Sequence, residues 1–184
     1  GKIYIRRGGF LDHVDLFDPY FFRISPREAE GLDPQQRLAL EVAWEALQHA
    51  RQEPFSQKGS LLEGFSPAGS RTGVFMGMGQ NDYARLKLNC GDLTAIDAYD
   101  GSGNLSCFAP GRLGYVLGAR GPNLVVDTAC SSSLVAVHLA CQSLRQHECD
   151  RALAGGVHLI LSPEITVFLC QTGVLAPDGI CKTF

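Results

Sequence analysis

Cys130 is the side chain best placed for covalent chemistry. It lies in Asp127-Thr128-Ala129-Cys130-Ser131-Ser132-Ser133, where an apolar run ends and a long helical pattern begins. Upstream, Leu124-Val125-Val126 suits a buried strand; downstream, Leu134, Val137, Cys141 and Leu144 recur at helical spacing. The pattern therefore puts Cys130 at the N-terminal end of a helix, where backbone N–H groups lack intrahelical partners and about half a positive charge accumulates. Such a field stabilises a thiolate, and the same N–H groups can hold the oxyanion formed when a thiolate attacks a carbonyl. Position alone leaves a second reading open, that Cys130 is a small buried packing residue, as most free cysteines are.

None of the five histidines pairs with Cys130 by spacing. His138 stands eight residues further along the same helix, about 12 Å of rise away and beyond hydrogen-bond reach. His147 is farther still. His158 falls on the next expected strand and reads as a core histidine, whereas His13 and His49 read as exposed. A cysteine hydrolase would need a neighbouring histidine that this spacing does not provide.

The elements that position Cys130 can be read outward from it. Arg71 to Gly79 reads as a buried strand running into a glycine-rich turn, and Arg151 to Leu161 as another strand, with Gly155-Gly156 permitting close backbone approach. Strand, helix and strand make a βαβ unit with locally parallel pairing. The helix after Cys130 is apolar nearly all round, so it is expected to be buried on several sides. Ser25-Pro26-Arg27-Glu28 has the serine, proline and glutamate of a helix start, giving a short helix to about Gly31. Asp33-Pro34 repeats the device for a longer helix to about His49, with Leu40, Ala43, Trp44 and Leu47 as its apolar face and Gln35, Gln36, Arg37, Glu41 and Glu45 as polar positions. Residues 51–70 read as loop. Asn81 to Asp100 reads as a surface excursion, Gly103 to Gly118 as a helical stretch that Pro110-Gly111 should kink or restart, and Pro163-Glu164 as another helix start. The aromatic-rich stretch from Phe10 to Phe22 reads as irregular chain packed on a core.

Several segments resemble one family. DTACSSSLVAVHLACQSL is similar to the active-site strand and helix of β-ketoacyl synthase domains, especially those of modular polyketide synthases. GGFLDHVDLFDPYFF, DPQQRLALEVAWEAL and LAPDGICKTF resemble other parts of the same domain. The 103–118 stretch resembles a family region near the pocket and dimer contact, with Pro110 in place of the usual alanine and Gly114 in place of serine. Ile180 stands where arginine is frequent, and Arg51 where glycine is common. The 51–70 connection looks like a loop insertion about ten residues longer than the family pattern, a length change with little cost in closure entropy.

The resemblance implies an α/β, thiolase-like fold, present as about the N-terminal half: a mixed sheet with a buried central helix after the Cys130 strand. Residues 1–184 would be a partial β-ketoacyl synthase domain, truncated at both ends. It implies that Cys130 is acylated from a carrier-protein phosphopantetheine and that the acyl group is condensed with a malonyl-type unit. The family's two histidine motifs, H-G-T-G-T and a G-H after a lysine, do not occur in this sequence. Cys130 favours an elongating domain, since decarboxylating loading domains usually carry glutamine there. The resemblance further implies an acyl carrier protein and other synthase domains as partners, and a homodimer. A fatty-acid or chain-initiating relative is a neighbouring reading, and a non-catalytic dimer-forming or carrier-binding remnant is another.

Composition narrows the remaining classes. A chain of 184 residues with 45% hydrophobic and 19% charged residues fits one globular domain. A net charge of -3 leaves no electrostatic footprint for nucleic acid, and no apolar run is long enough for a membrane span. Seven scattered cysteines without a C-x-x-C pair argue against disulfides and a zinc site and for a reducing cytoplasm; Cys141 and Cys149 read as packing residues. Gly77, Gly79 and Gly101-Ser102-Gly103 lack the spacing of a nucleotide-binding loop. No metal and no directly bound cofactor is expected.

Overall fold

The computed structural model describes residues 2–51, 71–89 and 91–182. The 51–70 loop insertion lies outside the described residues, apart from the backbone of Arg51, which ends a helix.

Three strands form a parallel sheet in the order β2-β1-β3: β1 is Thr72–Gly77, β2 is Asn123–Val126 and β3 is Arg151–Gly156. The mixed sheet implied by the resemblance is thus a parallel one among the described residues. β1 is buried along its whole length because it has a strand on each edge and helices on both faces. Its alternation divides the core. Val74 and Met76 join Phe22, Ile24, Leu32, Leu40 and Leu113 on one face, and Phe75 joins Ala136, Ala140 and Cys149 on the other. The strand before Cys130 is less buried than its apolar sequence suggests, with Leu124 exposed, because β2 pairs on one side only among the described residues.

The helices on the first face are α1 (Pro26–Gly31) and α2 (Pro34–Arg51), followed after β1 by α3 (Asp82–Leu88), α4 (Ala98–Asn104) and α5 (Phe108–Leu117). The Ser25 hydroxyl accepts from the Glu28 N–H at 3.2 Å, so α1 starts where the serine and proline specify. The expected 103–118 helix is instead two helices. Pro110 lies in the first turn of α5, where its missing N–H forfeits no intrahelical bond, so no kink is required. The surface excursion after β1 contains α3, a 3-10 turn at Leu93–Ala95 and α4. The aromatic stretch is irregular chain, as expected. Phe22 is buried and stacks on Phe17, and Phe21 meets Trp44 edge to face, while Phe10 stays exposed.

On the opposite face lies α6 (Ser132–Arg145), which packs on β1 and β3. Ala136, Ala140 and Ser143 make its buried stripe, whereas Leu134 is 74% and Val137 45% exposed. Burial on several sides is therefore not found among the described residues: there α6 packs on one sheet, and its small residues let it approach that sheet closely. β3 ends at Gly156, earlier than its sequence pattern suggests, and α7 (Pro163–Gln171) follows a connecting segment.

Candidate active site

Cys130 is exposed in a 3-10 turn, Ala129–Ser131, that leads directly from β2 into α6. It stands two residues ahead of the first α-helical residue, and the packing reading is set aside by its exposure. Short polar side chains build the turn. The Asp127 Oδ1 accepts from the Ala129 N–H at 3.1 Å, and the Ser132 Oγ accepts from the Thr128 N–H at 2.9 Å while donating to the Ala129 carbonyl at 2.7 Å. The Ser131 hydroxyl lies 2.9 Å from the Thr128 carbonyl. These bonds hold Ala129 at φ 54°, a left-handed conformation that a β-carbon disfavours.

Two glycines of the β1 end bring the sheet against this turn. A β-carbon on Gly77 would lie 2.8 Å from the Ser132 carbonyl carbon and the Ser133 nitrogen, so only glycine lets α6 begin directly over the strand. One on Gly79 would lie 3.1 Å from the Asp127 carboxylate. Gly156 makes the corresponding approach to Ser133 from β3, as its sequence position suggested. The backbone continues the lattice past the strands: the Met78 N–H donates to the Val126 carbonyl at 3.1 Å, and the Val157 N–H to the Gly77 carbonyl at 3.0 Å.

The histidines do not gather here. His138 is on the exposed side of α6, and His13, His49 and His147 are also exposed. His158 lies beyond the end of β3 and is exposed, which overturns its reading as a core residue: the strand ends two residues before it. Cys149 is buried beside the Ser143 hydroxyl and Cys141 is half-buried, both consistent with packing. The described cysteines are all free, and no group of His, Cys, Asp and Glu among the described residues could hold a metal ion. A cavity of about 470 Å³ lies between α3 and α4, lined in part by Leu86, Ile96 and Leu105, and no residue of the Cys130 turn lines it.

The sequence pattern conceals a buried polar cluster on α2. Gln35 and Gln36, polar positions at helical spacing, are each only 1% exposed. The Gln35 Nε2 donates to the Asp33 Oδ2 at 3.1 Å and to the Gln80 carbonyl at 2.9 Å, and its Oε1 accepts from the Leu159 N–H at 3.0 Å. Gln36 donates to the Gly103 carbonyl at 2.8 Å and accepts from the Arg112 Nε at 3.2 Å. Asp82 is buried too, and its Oδ2 accepts from the N–H groups of Leu161 and Ser162, both at 3.1 Å. Burial pushes the Asp33 carboxyl above its ordinary 3.8; hydrogen bonds from Gln35 and the charge of Arg37 oppose the rise, and the Asp82 charge adds to it. Asp-Pro opening a helix foretells an N-cap, but nothing in its period marks the two amides as internal.

The family model for the beta-ketoacyl synthase N-terminal domain matches residues 1–184. The chain belongs to the β-ketoacyl synthase family. It is 50% identical over its full length to one of the proteins that make up the phenolphthiocerol/phthiocerol polyketide synthase of Mycobacterium tuberculosis, and 49% identical over 97% of its length to 6-methylsalicylic acid synthase of Aspergillus niger. In each case the match occupies 9% of the relative, so the chain spans about a tenth of the length of these synthases. Among solved structures it is similar to the ketosynthase from module 6 of the bacillaene synthase of Bacillus subtilis, with a TM-score of 0.72 at 37% identity over 93% of this chain and 27% of that one. The oxazolomycin ketosynthase domain from Streptomyces albus gives 0.71 at 32% identity over 93% of this chain and 28% of that one. The partial thiolase-like fold is thus shared with ketosynthases of polyketide synthases.

Proposed function

We propose that Cys130 is the acyl-accepting nucleophile of a polyketide β-ketoacyl synthase. The observation that carries this reading is an exposed thiol on a hydroxyl-clamped turn between β2 and α6, in a chain of this family. The Cys130 thiolate adds to the carbonyl carbon of an acyl thioester carried on the phosphopantetheine of an acyl carrier protein. The adduct collapses, the carbon–sulfur bond to phosphopantetheine breaks, and that sulfur takes up the proton the Cys130 thiol had lost. N–H groups at the opening of α6 supply positive potential to the oxyanion. A carrier-bound malonyl-type unit then loses carbon dioxide, and the electron pair left behind forms an enolate. The enolate carbon bonds to the acyl carbon, and Cys130 leaves as thiolate.

The rest of the reading follows the same chemistry. The acyl carrier protein and the other domains of a multidomain synthase are the partners, the working state is a homodimer, and the compartment is the cytoplasm. Acyl groups arrive covalently on the carrier, so no dissociable cofactor or metal is invoked.

The test is to incubate full-length protein and a Cys130→Ala control with an acyl-carrier thioester and to measure intact mass. The expected result is one acyl mass added to the parent and none to the control. Labelling that persists in the control, or no labelling of folded parent protein, refutes the assignment; the second outcome favours the dimer-forming or carrier-binding remnant.

A further inference from the structure

We propose that Gln35 is a positioning residue for Cys130, acting through the two loops that leave the C-terminal edge of the sheet beside it. The inference rests on the reading of Cys130 as the nucleophile.

Gln35 is buried, and its one amide joins segments far apart in sequence. The Nε2 donates to the carbonyl of Gln80, in the loop after β1, and the Oε1 accepts from the N–H of Leu159, in the segment after β3. Asp33 fixes the amide from behind: its Oδ1 accepts from the Gln35 N–H at 2.8 Å, and its Oδ2 from the Nε2. This contact also decides which end of the amide donates, because only the NH₂ end can satisfy a carboxylate.

Each arm ends at the Cys130 turn. On the first, Gln80 follows Gly79, where a β-carbon would lie 3.1 Å from the Asp127 carboxylate, and that carboxylate holds the Ala129 N–H one residue before Cys130. On the second, Leu159 lies two residues after Val157, whose N–H is fixed to the Gly77 carbonyl, while Gly77 and Gly156 are the floor on which Ser132 and Ser133 begin α6. Asp82 makes a parallel tie between α3 and the Leu161–Ser162 backbone, so the two loops are joined twice. A side chain needed only to fill space under α2 would have no reason to carry an amide with an acceptor on one loop and a donor on the other. Burying that amide is favourable only when both ends are paired, so the two loops are held in one spacing.

Two substitutions separate the arms. Gln35→Met keeps the volume and removes both. Gln35→Glu keeps an acceptor for Leu159 but, when ionised, has no donor for Gln80 and adds a third carboxylate near Asp33 and Asp82. The readouts, in full-length protein, are the rate of Cys130 acylation by the acyl-carrier thioester and the rate of its alkylation by iodoacetamide. Exposed Cys181 is the internal reference for alkylation.

Gln35→Met should lower the acylation rate about tenfold, as expected when a reacting atom is misplaced by a fraction of an ångström, and should shift Cys130 alkylation relative to Cys181. For Gln35→Glu, the ratio to parent should recover as pH falls, because a protonated carboxyl donates to Gln80 again; a merely structural role does not predict that recovery. Gly79→Ala probes the same path without touching α2, since its methyl would press on the Asp127 carboxylate, and it should also slow acylation. Parent-like Cys130 rates in folded Gln35→Met and Gly79→Ala proteins overturn the proposal, and should Gln35→Met not fold, parent-like rates in Gly79→Ala together with a pH-independent Gln35→Glu ratio overturn it equally. If the parent is never acylated yet the Gln35 variants still change Cys130 alkylation, the nucleophile assignment fails and the positioning role stands.

Discussion

The Asp127 carboxylate and the Ala129 backbone form one unit: Oδ1 accepts from the Ala129 N–H at 3.1 Å, closing a two-residue loop over a backbone held at φ 54°. Cys130 follows at once, so its direction from the sheet is set by a hydrogen bond to its neighbour rather than by packing of its own side chain, which is exposed. Replacing the acceptor tests this. Asp127→Ala should destabilise the protein by about 1 kcal/mol and slow Cys130 acylation about tenfold, whereas Asp127→Asn, which keeps an Oδ1 acceptor, should stay close to the parent in both. Urea unfolding and mass-resolved acylation rates check the pair.

Ala129 itself stores strain. A β-carbon in the left-handed region costs about 1–2 kcal/mol, and glycine removes that cost while adding about 0.4–1 kcal/mol of unfolded-state entropy to be lost on folding. Ala129→Gly should therefore be neutral or mildly stabilising, and Ala129→Val, with a branched β-carbon, should lose more than about 1 kcal/mol. Denaturant midpoints of the two variants, measured side by side, decide the sign. A destabilised glycine variant would show that the turn is not strained.

The strands and helices around this turn were legible because their signals are local. Ser25 before Pro26, Asp33 before Pro34, and the apolar runs that end in the glycine-rich turn before Gly79 and at Val126 each declare an element boundary in adjacent residues. The Cys130 junction was legible for the same reason, as a strand pattern giving way to a helical one. What was not legible depends on contacts between distant segments. Gln35 and Gln36 look like surface amides at helical spacing, yet they are internal because Gln80, Leu159, Gly103 and Arg112 converge on them. His158 reads as a core residue only if β3 runs through it, but the strand stops at Gly156, two residues earlier, and His158 is exposed. Likewise the apolar circumference of α6 announces burial without saying how much of it this sheet provides.

Close approach and open space predict opposite signs for two glycine-to-alanine changes. At Gly77 the new methyl would meet α6 backbone at 2.8 Å, which cannot rotate away, so Gly77→Ala should cost about 1–3 kcal/mol. Gly101 lies inside α4 with nothing within 4 Å of its β-carbon position, so Gly101→Ala should stabilise the protein by about 0.5–1 kcal/mol through helix propensity. Thermal melts of both variants check this, and equal shifts of the same sign would contradict the packing of α6 on β1.

Asp33 gives the fold a pH dependence of unusual sign for a carboxylate. Burial raises its folded-state pKa above the ordinary 3.8, so between these two values the folded protein binds more protons at this site than the unfolded chain does. The contribution of the group to stability is therefore fully present below the unfolded value and is lost as pH rises through the folded one. This is the reverse of Asp100, whose pKa is lowered by its hydrogen bond from Lys87 and whose contribution is lost on acidification. Asparagine does not titrate, so the stability of the parent minus that of Asp33→Asn should fall as pH rises through the window just above 3.8 and then level off. Urea unfolding across a pH series reads the difference directly. A difference that instead grows with pH would mean that the Gln35 hydrogen bonds outweigh burial and that Asp33 is held as the carboxylate.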